Sequence, residues 1–319
     1  MSNLTAFDKR LCNELQTEVP VAERPFALLA CILKSSENEV IKHTRRLIKL
    51  GIIRRLGVSI NWRALGKAST LVATHIDQND LKKVASTINK LPGVSHNYLR
   101  EHYYNLWFTL RADSQKDLNI ILKKLSKRFG VKFNSLSVVR TFKLDARFDA
   151  TSNGKRLLLE RGRLRSEERK RITISKIDER ILKGLQGGLK VVRRPFDFIS
   201  KDKFEIFDGL IHISGMIHSG IINRLGAMVN HNKLGFTANA MFACEVKKSR
   251  VDEIGKKLAA LQIVSHCYER EIFKGWPYNI FAMMHSSNIK DIHRTVERFV
   301  RKDGIKSFAI LPTAAKLKK

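Results

Sequence analysis

Apolar residues recur at helical spacing through the first fifty positions: Phe7, Leu11 and Leu15, then Phe26, Leu29 and Ile32, then Val40, Leu47 and Leu50. Pro25 stands where the second of these helices would begin, which suits a fixed φ and a missing N–H. Gly51 terminates the third. Ile52 to Ile60 then reads as a short β wing, so the segment is a winged helix-turn-helix. From Ala68 the period changes. Ser69–Ile76 is β-rich, Leu81–Leu91 is helical, Val94–Glu101 and Tyr104–Leu110 are strands, Gln115–Phe129 is a helix and Phe133–Phe142 a strand. That order, β-α-β-β-α-β, is ferredoxin-like.

The same pattern occurs twice. Asp8 matches Asp178, and Arg24-Pro25-Phe26 matches Arg194-Pro195-Phe196. Gly51-Ile-Ile-Arg-Arg-Leu-Gly57 matches Gly220-Ile-Ile-Asn-Arg-Leu-Gly226, and Val94 to Glu101 matches Val264 to Glu271. The matches are collinear at a nearly constant offset, which indicates duplication or fusion. The fold class is therefore α+β, a tandem repeat of winged helix-turn-helix plus ferredoxin-like module. The expected division is 1–62 and 63–148 for the first copy, and 173–231 and 232–319 for the second. A basic linker at 149–172 would join them, with eight Lys/Arg from Lys155 to Arg171.

Composition narrows the classes. The 319 residues hold a globular share of apolar side chains, 43%, and no run long enough to cross a membrane. The first residues carry no signal pattern, so a cytoplasmic location is expected. Cys12, Cys31, Cys244 and Cys267 are too scattered for a disulfide framework or a structural zinc site. Sixty Lys+Arg against 30 Asp+Glu give +30, a charge that attracts polyanions without saying which.

The chemistry concentrates on one strand of each ferredoxin-like module. Strand side chains alternate, so Val94, His96, Tyr98, Arg100 and the nearby His102 are expected on one face, as are Val264, His266, Tyr268 and Arg270. Ser95, Asn97 and Leu99 would point the other way. Arg binds carboxylates bidentately, His moves a proton near neutral pH or ligates iron, and Tyr donates a hydrogen bond or stacks on a flat ring. The next strand adds Tyr104, Asn105 and Trp107, or Trp276, Tyr278 and Asn279. Such a set suits a large, flat polycarboxylate.

The winged helix followed by a ferredoxin-like module resembles the Lrp/AsnC regulators. Within that group, Arg24-Pro-Phe26, Gly51 to Gly57, Pro92-Gly-Val-Ser-His-Asn-Tyr-Leu-Arg100 and Tyr104-Asn-Leu-Trp107 resemble siroheme decarboxylase, as do Val264-Ser-His-Cys-Tyr268 and Trp276-Pro-Tyr-Asn279. The resemblance implies a carboxy-lyase that removes carbon dioxide from two acetate arms of siroheme, giving didecarboxysiroheme in haem biosynthesis. It also implies two related subunits, here in one chain, pairing within the molecule; a homodimer is left open. The second copy departs by Gln262-Ile263 in place of Pro92-Gly93, and by having no counterpart of His102.

On this reading Arg100 or Arg270 grips carboxylates, and His96, His102 or His266 supplies protons. A contact of His96 or His266 with the siroheme iron is the alternative role. No cofactor is expected, because the iron belongs to the substrate. Two rival readings remain. A DNA-binding regulator is favoured by Lys42, Arg45, Arg46 and Lys49 on the third helix. It is disfavoured by the equivalent second-copy helix, Phe207 to Ser219, which has no Lys or Arg. A non-catalytic haem sensor would need the pocket but no proton donor.

Overall fold

The computed structural model describes residues 4–151 and 172–318. The segment read as the core of the basic linker, 152–171, lies outside the described residues. The first copy runs α1 (Ala6–Thr17), α2 (Pro25–Leu33), α3 (Glu37–Lys49), β1 (Ile53–Ile60), β2 (Ala68–Thr74), α4 (Gln78–Asn89), β3 (Val94–Arg100), β4 (Leu106–Ala112), α5 (Gln115–Phe129) and β5 (Asn134–Leu144). The second runs α6 (Lys176–Gln186), α7 (Lys203–Ser219), β6 (Ile222–Val229), β7 (Ala238–Cys244), α8 (Val251–Ala260), β8 (Val264–Arg270), β9 (Ile280–Ser286), α9 (Ile289–Asp303) and β10 (Phe308–Lys316). Pro25 opens α2, and Gly51 follows α3 with φ +67°, a left-handed conformation that glycine adopts without strain. In the second copy the stretch equivalent to α2 forms turns instead, and α7 starts at Lys203, where the Asp202 carboxylate accepts from Phe204 N and Glu205 N.

Contacts sort the chain by module type rather than by copy. Among the described residues, one compact unit gathers the winged-helix segments of both copies, 4–65, 147–151 and 172–237; the other gathers 66–146 and 238–318. In the first unit the strand read as a wing has no hairpin partner of its own. β1 pairs antiparallel with β6, its equivalent in the other copy, and Gly57 lies opposite Gly226. Those two residues correspond in the repeat, so a pseudo-two-fold axis passes between them. The symmetry extends outward: Val19 N donates to Leu225 O and Leu189 N to Leu56 O, both at 2.9 Å. The core below holds Leu11, Leu15 and Phe26 from one copy with Leu182, Leu185 and Phe196 from the other.

Each copy locks its first helix in the same way. Thr5 caps α1 and Asp8 reaches back to it; Ser175 and Asp178 do this for α6. Each carboxylate also meets a histidine of the same copy, Asp8 with His43 at 2.7 Å and Asp178 with His212 at 2.8 Å. Burial alone would raise the Asp8 carboxyl, but hydrogen bonds from His43, Thr5 and Arg46 outweigh it and hold the group below the usual carboxylate range.

The second unit is a closed eight-stranded barrel, in order β10-β3-β4-β2-β5-β8-β9-β7. Each copy contributes four strands, and its last strand also pairs with the second strand of the other copy: β5 with β8, β10 with β3. Every sheet edge is thereby paired. The helices pack outside. Val84, Ile88, Leu118 and Leu122 cover Val72, Phe108 and Leu110 in the first copy, and Ile254, Leu258, Ile292 and Val296 cover Phe242, Ala282 and Met284 in the second. Leu136, Met241, Trp107, Phe281 and Leu311 form a separate cluster within the barrel.

Two outcomes are expected. A Cβ at Gly226 would sit 2.8 Å from Leu15 O, whereas one at Gly57 meets Leu185 O at 3.4 Å. Gly226→Ala should therefore lower stability by about 1–3 kcal/mol in denaturant titration, and Gly57→Ala by less. Asp8→Asn should cost about 1–3 kcal/mol at pH 7 through the lost charge-assisted bonds. Because the folded carboxyl is depressed, its contribution is complete above the unfolded value near 3.9 and disappears as pH falls through the folded one. The difference in melting temperature between wild type and Asp8→Asn should begin to narrow below about pH 4 and close only once the pH has fallen through the depressed folded value.

Candidate active site

The His-x-Tyr-x-Arg row begins on a bulge. The register of β3 against β4 shifts between Val94 and His96, so Val94 lies opposite Leu110 and His96 opposite Thr109. The extra residue reverses the side on which the strand continues. Val94 packs in the helix-side core with Leu110, while Tyr98 lies opposite Trp107 of the interior cluster. β8 repeats this, with a shift between Val264 and His266 and Tyr268 opposite Phe281. The row on the inner face is therefore His96, Tyr98, Arg100 and His266, Tyr268, Arg270. Strict alternation had placed Val94 and Val264 with them; the bulges move both valines to the helix side. Asn97 and Leu99 do face away, and Asn97 bonds to Asn89 of α4.

Every neighbouring pair in the barrel is antiparallel, so strand direction alternates around it. β3 and β8 are four places apart and run the same way. His96 and His266 consequently lie at one end of the barrel, with the tyrosines and then the arginines deeper. The loops after Arg100 and Arg270 lie at the other end. His102 is six residues beyond His96, up to about 20 Å along an extended strand. The candidate acids thus divide between two ends.

The two arginines are the most constrained groups. Arg100 is 5% exposed. Its Nη1 donates to Leu311 O at 2.8 Å and to Thr313 Oγ1 at 3.2 Å, and its guanidinium lies over the Tyr98 ring at 5.6 Å. Arg270 donates to Leu136 O at 2.8 Å and lies over Tyr268 at 4.8 Å and Phe281 at 5.8 Å. The Nε–H of each is buried with no acceptor. Neither has a carboxylate partner among the described residues. Burial pulls both guanidinium groups down to about 10, still charged at neutral pH. Burial pushes the Tyr268 phenol up to about 12, which keeps it a hydrogen-bond donor.

At the histidine end, Ser95 Oγ lies 2.9 Å from His96 Nδ1 and 2.8 Å from Thr109 Oγ1. Ser265 Oγ lies 2.7 Å from His266 Nδ1 and 2.9 Å from His285 Nε2. Sequence reasoning gave neither serine a role, although Ser precedes His in both copies and that adjacency was the available signal. Alternation turns Ser95 away; the bulges bring both serines beside the rings.

The far end is an aromatic plug. Trp276, 1% exposed, packs against Trp107 (5.2 Å), His102 (5.3 Å), Tyr104 (5.8 Å) and Tyr278 (4.8 Å). Trp107 Nε1 donates to Tyr104 O. Asn105 clamps Ile76 with both ends of its amide, and Asn279 clamps Val246 identically. These two amides secure the strand ends. His102 Nδ1 accepts from Tyr104 N at 3.1 Å, which leaves the ring hydrogen on Nε2, and partial desolvation lowers its pKa although the ring remains exposed. Among the described residues no group of three or more His, Cys, Asp or Glu could hold a metal ion, and no helix is long and apolar enough to cross a membrane.

Comparison with known proteins gives this geometry its context. Residues 64–143 and 233–318 match the AsnC-like ligand binding domain, and residues 8–54 match the siroheme decarboxylase NirDL-like HTH domain. A siroheme decarboxylase of Hydrogenobacter thermophilus is 32% identical over 98% of this chain and 93% of its own. The alpha subunit from Desulfovibrio desulfuricans is 37% identical, over 48% of this chain and 89% of its own. The crystal structure of the siroheme decarboxylase NirDL superposes with a TM-score of 0.74 at 29% identity, over 99% of this chain and 93% of that one; the same protein is also solved with an iron-uroporphyrin III analogue. With its whole length matched, both halves included, this chain belongs to the siroheme decarboxylase family.

Proposed function

We propose that this chain decarboxylates siroheme at two acetate arms, giving didecarboxysiroheme for haem biosynthesis, with the inner face of the barrel as its substrate site. The carrying observation is the pair of guanidinium groups, Arg100 buried and Arg270 half-buried, each with a buried Nε–H that has no acceptor and neither with a carboxylate partner among the described residues. A buried unpaired charge is costly to the protein by several kcal/mol. A substrate bearing many carboxylates relieves that cost on binding. Tyr98 and Tyr268 flank the guanidinium groups with flat, hydrogen-bonding rings.

The reaction needs no group beyond the substrate and a proton source. Breaking the bond between the methylene and the carboxylate carbon leaves an electron pair on the methylene. Protonation of the adjacent pyrrole carbon provides a place for that pair. A proton then goes to the nascent methyl and the ring proton departs, so each arm consumes one proton and releases one carbon dioxide. The apolar interior around Met241 and Phe281 favours loss of the carboxylate charge. His96 and His266 stand at one end of the barrel and are the proton donors of this reading, whereas His102 stands beside Trp276 at the other.

Three of the four cations that favour DNA binding in the first copy have partners within the protein. Arg45 donates to Val191 O through Nε and Nη2, Arg46 pairs with Asp8, and Lys42 with Glu39. The second-copy helix α7 presents Phe204, Phe207 and Ile211 outward, and its one Lys or Arg is Lys203 at its first position. These features support the enzyme over the regulator, and turnover distinguishes it from a sensor.

The decisive experiment is anaerobic incubation of the purified protein with siroheme, read by mass spectrometry for loss of two carbon dioxide units; an unchanged substrate mass would refute the function. Arg100→Met and Arg270→Met should each reduce kcat/KM by about 100-fold, the effect of losing a buried charged contact of about 3 kcal/mol. Their melting temperatures should not fall, since the variant removes an unpaired buried charge. His96→Ala and His266→Ala should reduce turnover by about a hundred- to ten-thousand-fold. A comparable loss in His102→Ala, with His96→Ala active, would put the chemistry at the loop end instead.

A further inference from the structure

Ser265 sits at a junction with only one consistent hydrogen arrangement. Its Oγ is within hydrogen-bond distance of three groups: Met283 O at 3.2 Å, His266 Nδ1 at 2.7 Å and His285 Nε2 at 2.9 Å. A carbonyl oxygen can only accept, and a serine hydroxyl has a single hydrogen to donate. With that hydrogen directed to Met283 O, the two lone pairs of Oγ face the two imidazoles. Both rings must then donate. His266 carries its hydrogen on Nδ1, and in the neutral ring the lone pair is on Nε2.

In the first copy Ser95 and Thr109 impose no such restriction. Ser95 Oγ meets His96 Nδ1 and Thr109 Oγ1. The Thr109 hydroxyl both donates and accepts, so either hydrogen arrangement satisfies the pair. The difference comes from sequence: Met283 and His285 occupy the strand where the first copy has Thr109 and Arg111. Ser265 is fully buried and Ser95 exposed, so only the former is held by packing as well.

We propose that Ser265 is a positioning residue that locks His266 in the Nδ1–H tautomer and so presents an electron pair at Nε2 to the substrate. The two halves then differ: Ser265 commits the second-copy imidazole to offering a lone pair, and Ser95 imposes no such choice on the first-copy one. This assignment rests on the substrate site proposed above. A partner that fixes the tautomer of a functional histidine commonly contributes about 10- to 100-fold.

The test uses the full chain labelled with nitrogen-15 in histidine, with His266→Gln to assign the resonances. The wild type should show Nδ1 of His266 in the protonated range and Nε2 in the unprotonated range. Ser265→Ala should lose that single pattern and reduce kcat for siroheme about 10- to 100-fold, with KM changed less. Ser265→Thr, which keeps the hydroxyl, should restore both. A wild-type ring protonated on Nε2 overturns the proposal, as does a Ser265→Ala protein with the original tautomer and full turnover. Should Ser265→Ala fail to fold, the wild-type spectrum decides by itself. An inactive wild type with the Nδ1–H pattern would instead reject the decarboxylase reading and leave the tautomer assignment standing.

Discussion

A strand edge left unpaired exposes a row of backbone donors and acceptors, and neither copy of this chain can cover its own edges. Among the described residues β1 pairs with β6 alone. β5 and β10 each pair on one side within their copy and on the other side across to its counterpart. The interior of the barrel exists because of that closure. The two arginines depend on it as well: Arg100 is anchored by Leu311 O from the second copy, and Arg270 by Leu136 O from the first. The candidate site is thus a property of the pair of copies.

Much of this architecture was legible in the sequence. Helical spacing, Pro25 and Gly51 located α1 to α3, and the switch of period located the ferredoxin-like order. Internal repetition of the His, Tyr and Arg positions singled out β3 and β8. The wing was not legible, because the apolar character of Ile53, Leu56 and Val58 is the same whether the partner strand is local or distant. The bulges were hidden for a similar reason. Val94-Ser95-His96 has no glycine or proline to mark an extra residue, and only the cross-strand register reveals it. The loss of α2 in the second copy also went unseen, since Arg-Pro-Phe recurs at 194–196 and a proline is compatible with a turn as well as with a first helical position.

The candidate site was legible by residue type and less so by placement. The row of His, Tyr and Arg does point inward, but His102, Tyr104, Trp276 and Tyr278 gather at the opposite end from His96 and His266. Proximity in sequence gave the wrong impression here, because an extended strand separates its two ends by its full length. Asn105 and Asn279 recur for another purpose, as clamps on Ile76 and Val246. Repetition across copies therefore marks positions that the fold uses twice as readily as positions that chemistry uses.

The cross-copy pairing carries a further consequence for a chain that holds both copies. Subunits encoded separately must meet by diffusion, so their complex thins out on dilution. Within one polypeptide the encounter is unimolecular, and closure of the barrel no longer depends on how much protein is present. Each edge also has a single resident mate. A residue such as Met283 or His285 is then free to drift away from its counterpart, because no second identical half has to fit against it.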